Sequence, residues 1–284
     1  MARIAIRNVT KVFGRNEAAG LALARQGVDK LDILARTGCS LGLNDVSLDI
    51  PEGGIFVIMG LSGSGKSTLV RHLNRLIDPS AGAILFEGQD IMAYSSRDLR
   101  AFRRRSVSMV FQGFGLLPHR TVLQNVAFGL ITRGEHRRDA HPKAMRWIET
   151  VGLTGYEAKH PAELSGGMRQ RVGLARALAS DTDVILMDEA FSALDPLIRL
   201  EMQDLLLELQ RTLKKTIVFI THDLDEAVRI GSLVAVMKDG RVVQMGTPAA
   251  ILEHPADEYV ARFVQRRAEP PAAFQAPLTD RIRT

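Results

Sequence analysis

The sequence predicts an α/β fold: a strand–helix core, interrupted by a mainly helical segment and edged by an antiparallel β region. Three observations carry this. The apolar run Ile55-Phe-Val-Ile-Met59 reads as a strand covered on both faces, and it feeds into the Gly-rich string Gly60-Leu61-Ser62-Gly63-Ser64-Gly65-Lys66-Ser67. Helical spacing follows from Lys66 to Leu76, marked by Leu69, Leu73 and Leu76. Beyond Gln112 the chain turns helical, and strand character returns at Val184-Ile-Leu-Met187, Thr216-Ile-Val-Phe-Ile220 and Leu233-Val-Ala-Val-Met237.

Taken in order, Ile4-Ala-Ile6, Val9 and Val12-Phe13 read as an opening strand pair. Between Gly14 and about Leu43 lies an unusual stretch with a short helix expected from Asp29 to Thr37, ended by Gly38. Val46-Ser-Leu-Asp-Ile50 alternates as a half-buried strand, and Val107-Ser-Met-Val-Phe111 is a buried strand candidate ending at Gln112. Helices are expected near 122–131, 142–151 and 168–178. The last strand turns at Lys238-Asp239-Gly240 into Val242-Val243, a hairpin by its Asp-Gly. The expected organisation is one domain over residues 1–267, with the helical part inserted at about 113–179. Residues 268–284, rich in Pro, Ala and charge, are expected to form a disordered tail. No internal repeat is visible.

An apolar content of 46% with 24% charged residues is ordinary for a folded soluble protein. The net charge of +5 permits anionic partners, but a modest balance of this kind is ordinarily a solvated surface. The single Cys39 excludes an intrachain disulfide and suits a reducing compartment. The N-terminus lacks the apolar stretch of a signal peptide, and no run approaches the ~20 apolar residues of a membrane helix. The chain is therefore expected in the cytosol unless another subunit holds it at a membrane.

The string Gly60–Ser67 fits G-x-x-x-x-G-K-[ST]. Its backbone N–H groups can wrap phosphate oxygens, while Lys66 supplies charge and Ser67 a ligand for Mg²⁺. Alone it says only that a nucleoside triphosphate binds. Leu164-Ser165-Gly166-Gly167-Met-Arg-Gln170 offers a second Gly-rich anion nest, with a hydroxyl and a helix behind it. Val184-Ile-Leu-Met187 ends in Asp188 and Glu189. Asp188 at the strand tip can hold Mg²⁺ opposite Ser67, and Glu189 can polarise the water that attacks a γ-phosphate. A strand ending in two carboxylates is by itself a charged strand end; it gains meaning from the two nests. The six His residues other than His222 show no metal-ligand spacing and read as structural.

From Ile4 to about Arg267 the chain resembles the ATP-binding subunit of an ABC transporter. The resemblance implies a P-loop NTPase core of ABC ATPase type, with ATP and Mg²⁺ bound. Gly60–Ser67, with Thr68 following, corresponds to the Walker A loop, Leu164–Gln170 to the signature and Val184–Glu189 to Walker B. Gln112 stands where the family keeps the glutamine that senses Mg²⁺ and nucleotide. Ser192-Ala-Leu-Asp195 looks like the D-loop that crosses between subunits, and His222 in Thr221-His-Asp223 like the switch histidine at the γ-phosphate. Phe13 matches the aromatic that stacks on adenine, although beside an apolar strand core packing is the competing reading. The family's geometry places Ser165, Gly166 and Gly167 against nucleotide held by a second copy, so a homodimer is expected in the ATP-bound state.

Further strings are similar to the glycine betaine, proline and choline importers: Ile55–Gly65, Val70–Ile77, Asp188–Arg199, Asp223–Ile230 and the insert Gly14–Leu43. The resemblance implies transmembrane permease subunits, whose coupling helix is received near Gly113–His119, and an extracytoplasmic substrate-binding protein. It implies a peripheral location at the cytoplasmic face of the inner membrane. Larger members carry paired CBS modules after the ATPase, which the residues beyond Arg267 are expected to be too few to hold. Import of another solute, an amino acid or polyamine, is the alternative within the class. A soluble nucleic-acid-associated ABC ATPase is the rival outside it, suggested only by the basic balance; no nucleic acid is expected as a partner.

Overall fold

A computed structural model of the chain describes residues 2–268. It opens with β1 (Ala2–Phe13), α1 (Glu17–Arg25), α2 (Lys30–Thr37), β2 (Ser40–Pro51), β3 (Ile55–Met59) and α3 (Lys66–Leu73). Next come β4 (Ala81–Phe86), β5 (Gln89–Asp90), α4 (Ser96–Arg105) and β6 (Val107–Val110). Four helices follow without a strand: α5 (Val122–Val126), α6 (Phe128–Thr132), α7 (Arg137–Thr150) and α8 (Gly166–Ala179). The chain then alternates through β7 (Val184–Asp188), α9 (Pro196–Leu213), β8 (Thr216–Thr221), α10 (Leu224–Ile230) and β9 (Leu233–Lys238). β10 (Arg241–Gly246), α11 (Pro248–Glu253) and α12 (Glu258–Ala268) complete the described residues.

Two sheets face each other. The smaller runs β2-β1-β4-β5 and is antiparallel; the larger runs β10-β9-β3-β8-β7-β6 and is parallel except for β10. Side-chain alternation along β3 explains the layering. Phe56 and Ile58 pack toward the antiparallel sheet with Ile4, Ile6, Val46 and the α3 residues Leu69 and Leu73. Ile55, Val57 and Met59 pack the other way, against Met202 and Leu206 of α9 and Val260 of α12. The helical segment has its own core, in which Val122, Val126, Ala144, Ile148, Val172 and Ala175 meet.

Register in the parallel sheet is what assembles the site. Met59 lies opposite Thr221, Asp188 opposite Ile220, and Val110 opposite Met187. The carboxyl ends of β3, β6, β7 and β8 therefore share one edge, where open α/β sheets bind ligands. Whatever follows these strands, whether the Gly-rich loop, Gln112, Glu189 or His222, is delivered to the same place.

Several local expectations change. The opening strand pair is one bulged strand of twelve residues, with Asn8 at φ 49° absorbing the irregularity, and it pairs β2 on one side and β4 on the other. The unusual stretch after Gly14 holds two helices: α1 is an addition, whereas α2 sits as expected, with the Asp29 carboxylate accepting from Leu31 N and Gly38 left-handed at its end. Helix α3 stops at Leu73, and β6 stops one residue before Phe111. The 122–131 helix divides at Ala127, where ψ opens to −10°. The helix expected from Pro142 begins at Arg137. Pro142 is the sixth residue of that helix, where it forgoes the bond to the carbonyl of exposed Arg138, four residues back, and its ring crowds that carbonyl. The hairpin is as expected: Asp239 and Gly240 are both at positive φ and Lys238 pairs Arg241. Of the tail expected at 268–284, Ala268 ends α12 and the rest lies outside the described residues.

Candidate functional site

Between β3 and α3 the loop needs glycine at two points of close approach. A Cβ on Gly60 (φ +153°) would come within 2.3 Å of the Met237 carbonyl oxygen, and one on Gly65 (φ +101°) within 2.7 Å of the Gly42 oxygen. Lys66 opens α3 almost wholly buried, and its ammonium donates to the carbonyls of Gly60 at 2.8 Å and Leu61 at 3.0 Å. Burial pulls its pKa down from the usual lysine range, against the opposing pull of the Glu189 and Asp188 carboxylates. Ser67 Oγ donates to Asp188 Oδ1 at 2.7 Å, and Arg71 Nη2 stands 3.5 Å from the other oxygen of that carboxylate.

Glu189 is the point on which the rest converges. It follows β7 in the left-handed region, at φ 45°, an uncommon conformation for a non-glycine residue that turns it away from Asp188. Gln112 Nε2 donates to its Oε2 at 3.1 Å, His222 Nδ1 stands 3.7 Å from the same oxygen, and Lys66 Nζ stands 3.8 Å from Oε1. Glu189 and His222 line a cavity of about 490 Å³ together with Leu61, Ser62, Asp223 and Phe263. A carboxylate here can accept a proton from water held between it and a phosphate in the loop.

The expected residues fall into two groups. The Gly-rich loop, Lys66, Ser67, Thr68, Asp188, Glu189, Gln112 and His222 occupy the shared edge. Phe13, at the end of β1 opposite Ser40, is 39% exposed, and its ring covers Gly42, where a Cβ would meet Cε2 at 2.6 Å. Because the Gly42 carbonyl in turn abuts Gly65, the ring flanks the loop. Ser165, Gly166, Gly167 and Asp195 make none of these contacts. Exposed Ser165 caps α8, its Oγ accepting from Met168 N at 3.3 Å, and Asp195 caps α9 by accepting from Ile198 N at 3.1 Å. Two participants carried no motif: Arg71, and Tyr259, whose hydroxyl meets the loop at Leu61 N. The i, i+4 pair Tyr259 and Phe263 marks an apolar helix face, and the sequence alone says no more than that.

The ABC transporter family model matches residues 43–192, which includes the loop, the Ser165-Gly-Gly nest and the Asp188-Glu189 strand end. This chain belongs to the ABC transporter family. Its sequence is 54% identical over 93% of its length to the glycine betaine/carnitine transport ATP-binding protein GbuA of Listeria monocytogenes, covering 67% of that protein. It is 56% identical over 92% of its length to the glycine betaine/proline betaine transport system ATP-binding protein ProV of Escherichia coli, covering 65%. The chain thus spans about two thirds of the length of these curated relatives. Among solved structures, the dimeric bacterial ABC transporter cassette MJ0796 matches 86% of this chain and 98% of its own, at 30% identity and a TM-score of 0.74. The fold is that of an ABC ATPase cassette, as the sequence predicts.

Proposed function

We propose that this ABC-family chain is the ATP-hydrolysing subunit of an importer for a quaternary amine osmolyte such as glycine betaine or choline. The observation that carries the chemistry is the convergence of Lys66, Gln112 and His222 on Glu189. The identity to betaine-transport ATP-binding proteins, above one half over nine tenths of the chain, supports the substrate class.

ATP fits the loop because Gly60 and Gly65 leave backbone room that any side chain would fill, and Lys66 offers an ammonium at the same point. Phe13 is exposed enough to stack on a base. Mg²⁺ fits by donor chemistry. The Ser67 hydroxyl and the buried Asp188 carboxylate are hard oxygen donors within 2.7 Å of each other. Phosphates and water would supply the cation's remaining ligands. When bound, Mg²⁺ would neutralise charge on the β- and γ-phosphates. Glu189 accepts the proton of the attacking water, Gln112 fixes the carboxylate, and His222 contacts the γ-phosphate.

The second nest faces outward at the start of α8, so Ser165, Gly166 and Gly167 would close on nucleotide held by a second copy, with Asp195 beside the interface. Two ATP molecules would then hold two chains together, and hydrolysis would release them. No helix of the described residues is long and apolar enough to cross a membrane. Permease subunits would span it, as the transport-system names of the relatives suggest. The groove of about 360 Å³ bounded by Phe111, Gly115, Leu117, Phe128 and Arg176 is where the permease would press on the loop after Gln112. The chain would sit at the cytoplasmic membrane face, with a substrate-binding protein on the other side.

The test is reconstitution of the chain with its permease and binding protein in vesicles, measuring ATP hydrolysis with choline, betaine, proline and a polyamine. Stimulation by the amines with a quaternary nitrogen is expected. Stimulation by the polyamine alone would overturn the substrate while leaving the ATPase.

A further inference from the structure

The Gly-rich loop is anchored from outside by the last described helix. Tyr259, in the first turn of α12, accepts a hydrogen bond from Leu61 N at 3.2 Å and donates one to the Met237 carbonyl at 3.1 Å. That carbonyl is the one that forbids a side chain at Gly60. One hydroxyl therefore joins the end of β9, the first peptide of the loop and α12. The ring itself is fixed: Phe263 meets it edge-on at 5.2 Å between centroids, and Lys238 Nζ lies 5.1 Å from its centroid. One turn further along, Phe263 lines the cavity that holds Glu189 and His222.

Leu61 is also held at its carbonyl, by the Lys66 ammonium at 3.0 Å and by the Ser64 N–H at 3.2 Å. An arriving phosphate competes for that ammonium, since the charge-assisted bond to a phosphate oxygen is the stronger one. The Tyr259 hydroxyl faces no such competition. It uses only the amide at the mouth of the loop, Leu61 N.

We infer that Tyr259 is a positioning residue of the nucleotide site, its hydroxyl holding the Leu61 peptide in the phosphate-binding conformation when Lys66 turns to the nucleotide. The inference rests on the proposed ATPase activity and deepens it: α12 becomes a wall of the hydrolytic cavity.

Tyr259→Phe in the full chain keeps the ring and its packing and removes only the hydroxyl. The readouts are ATP and ADP affinity by calorimetry with Mg²⁺, steady-state hydrolysis, and melting without nucleotide. The hydrogen bond should be worth about 2- to 12-fold in nucleotide Kd and in KM for ATP, with kcat nearly unchanged. A hydroxyl that merely packs the helix would lower the melting temperature and leave Kd and KM alone, and that result overturns the inference. Amide exchange of the nucleotide-free wild type needs no variant: Leu61 should exchange more slowly than exposed Ser62, and equal rates would overturn the inference even if Tyr259→Phe fails to fold. Wild-type protein that binds no ATP would sink the ATPase proposal as well. Wild type that binds and hydrolyses ATP beside an unaltered variant sinks this inference alone.

Discussion

The side-chain amide of Gln112 donates to Glu189 at 3.1 Å, joining the loop that opens the helical segment to the carboxylate at the end of β7. His222 approaches the same oxygen from the end of β8. Three segments distant in sequence meet because β6, β7 and β8 are neighbours in a parallel sheet and end at one edge. A displacement of the segment after Gln112 would therefore be felt first at Glu189, which is the coupling that a permease-driven ATPase requires. Positioning of this kind asks little of any single bond, because the strand register has already brought the groups within reach.

Glu189→Gln should keep nucleotide binding and lose most hydrolysis. The amide retains the contact with Gln112 in one of its orientations but cannot take up a proton, and loss of a positioned general base costs about 10²–10⁴-fold in rate. With ATP and Mg²⁺ the variant should run as a dimer on a sizing column. Turnover near that of the wild type would remove Glu189 from the role assigned to it.

Gly65→Ala tests the loop's geometry. The new Cβ would stand 2.7 Å from the Gly42 carbonyl at a φ of +101°. Strain on the order of 1–3 kcal/mol is expected, which is roughly 5- to 150-fold in ATP affinity if the binding conformation bears it. Gly63→Ala is the control: its φ is also positive, at +78°, yet nothing lies within 4 Å of its Cβ, so calorimetry should show a smaller loss.

Much of this site is legible in the amino-acid order, because phosphate loops, strand-end carboxylates and Asp-Gly turns are encoded by contiguous residues. The same reason hides the rest. The hydrogen bond from Leu61 to Tyr259 spans 198 residues, and neither partner belongs to a local pattern that announces it. Helix α1 buries only Gly20 and Ala24, and its apolar residues Ala18, Ala19, Leu21, Ala22, Leu23 and Ala24 run almost together, without a helical period to read. The irregularity of β1 arises from pairing on both sides with different registers, a property of the sheet and not of the strand. Pro142 misleads by its identity, since a proline reads as a helix start although the chain tolerates it one turn inside.

Gly166→Asp should abolish hydrolysis while leaving one-sided ATP binding intact. Nothing lies within 4 Å of a Cβ at this position, so the folded chain has room for the substitution. Its carboxylate would instead meet the γ-phosphate presented by a second copy, where like charges repel. Calorimetry on the isolated chain should show near wild-type affinity, and the ATP-dependent dimer should vanish. Normal hydrolysis would refute a site composed from two chains.

Glu226→Gln addresses stability and its pH dependence. Glu226 is buried, and burial lifts its pKa above the ordinary carboxylate value of 4.5; repulsion from Asp223 adds to this, while hydrogen bonds from Thr221 and Gln203 and the Arg199 charge oppose it. The folded state therefore holds this proton more tightly than the unfolded chain does. The stability from this site is fully present below the unfolded value and is lost as pH rises through the raised folded one. A glutamine keeps the shape and an acceptor for Gln203 Nε2, which now lies 3.0 Å from a Glu226 oxygen, and has no proton to lose. The variant should match the wild type at about pH 4 and melt higher at about pH 8, by roughly 2–4 °C for each kcal/mol recovered. Melting curves at both pH values decide it: a gap that is the same at each, or that narrows as pH rises, means that Glu226 is held as a carboxylate in the fold.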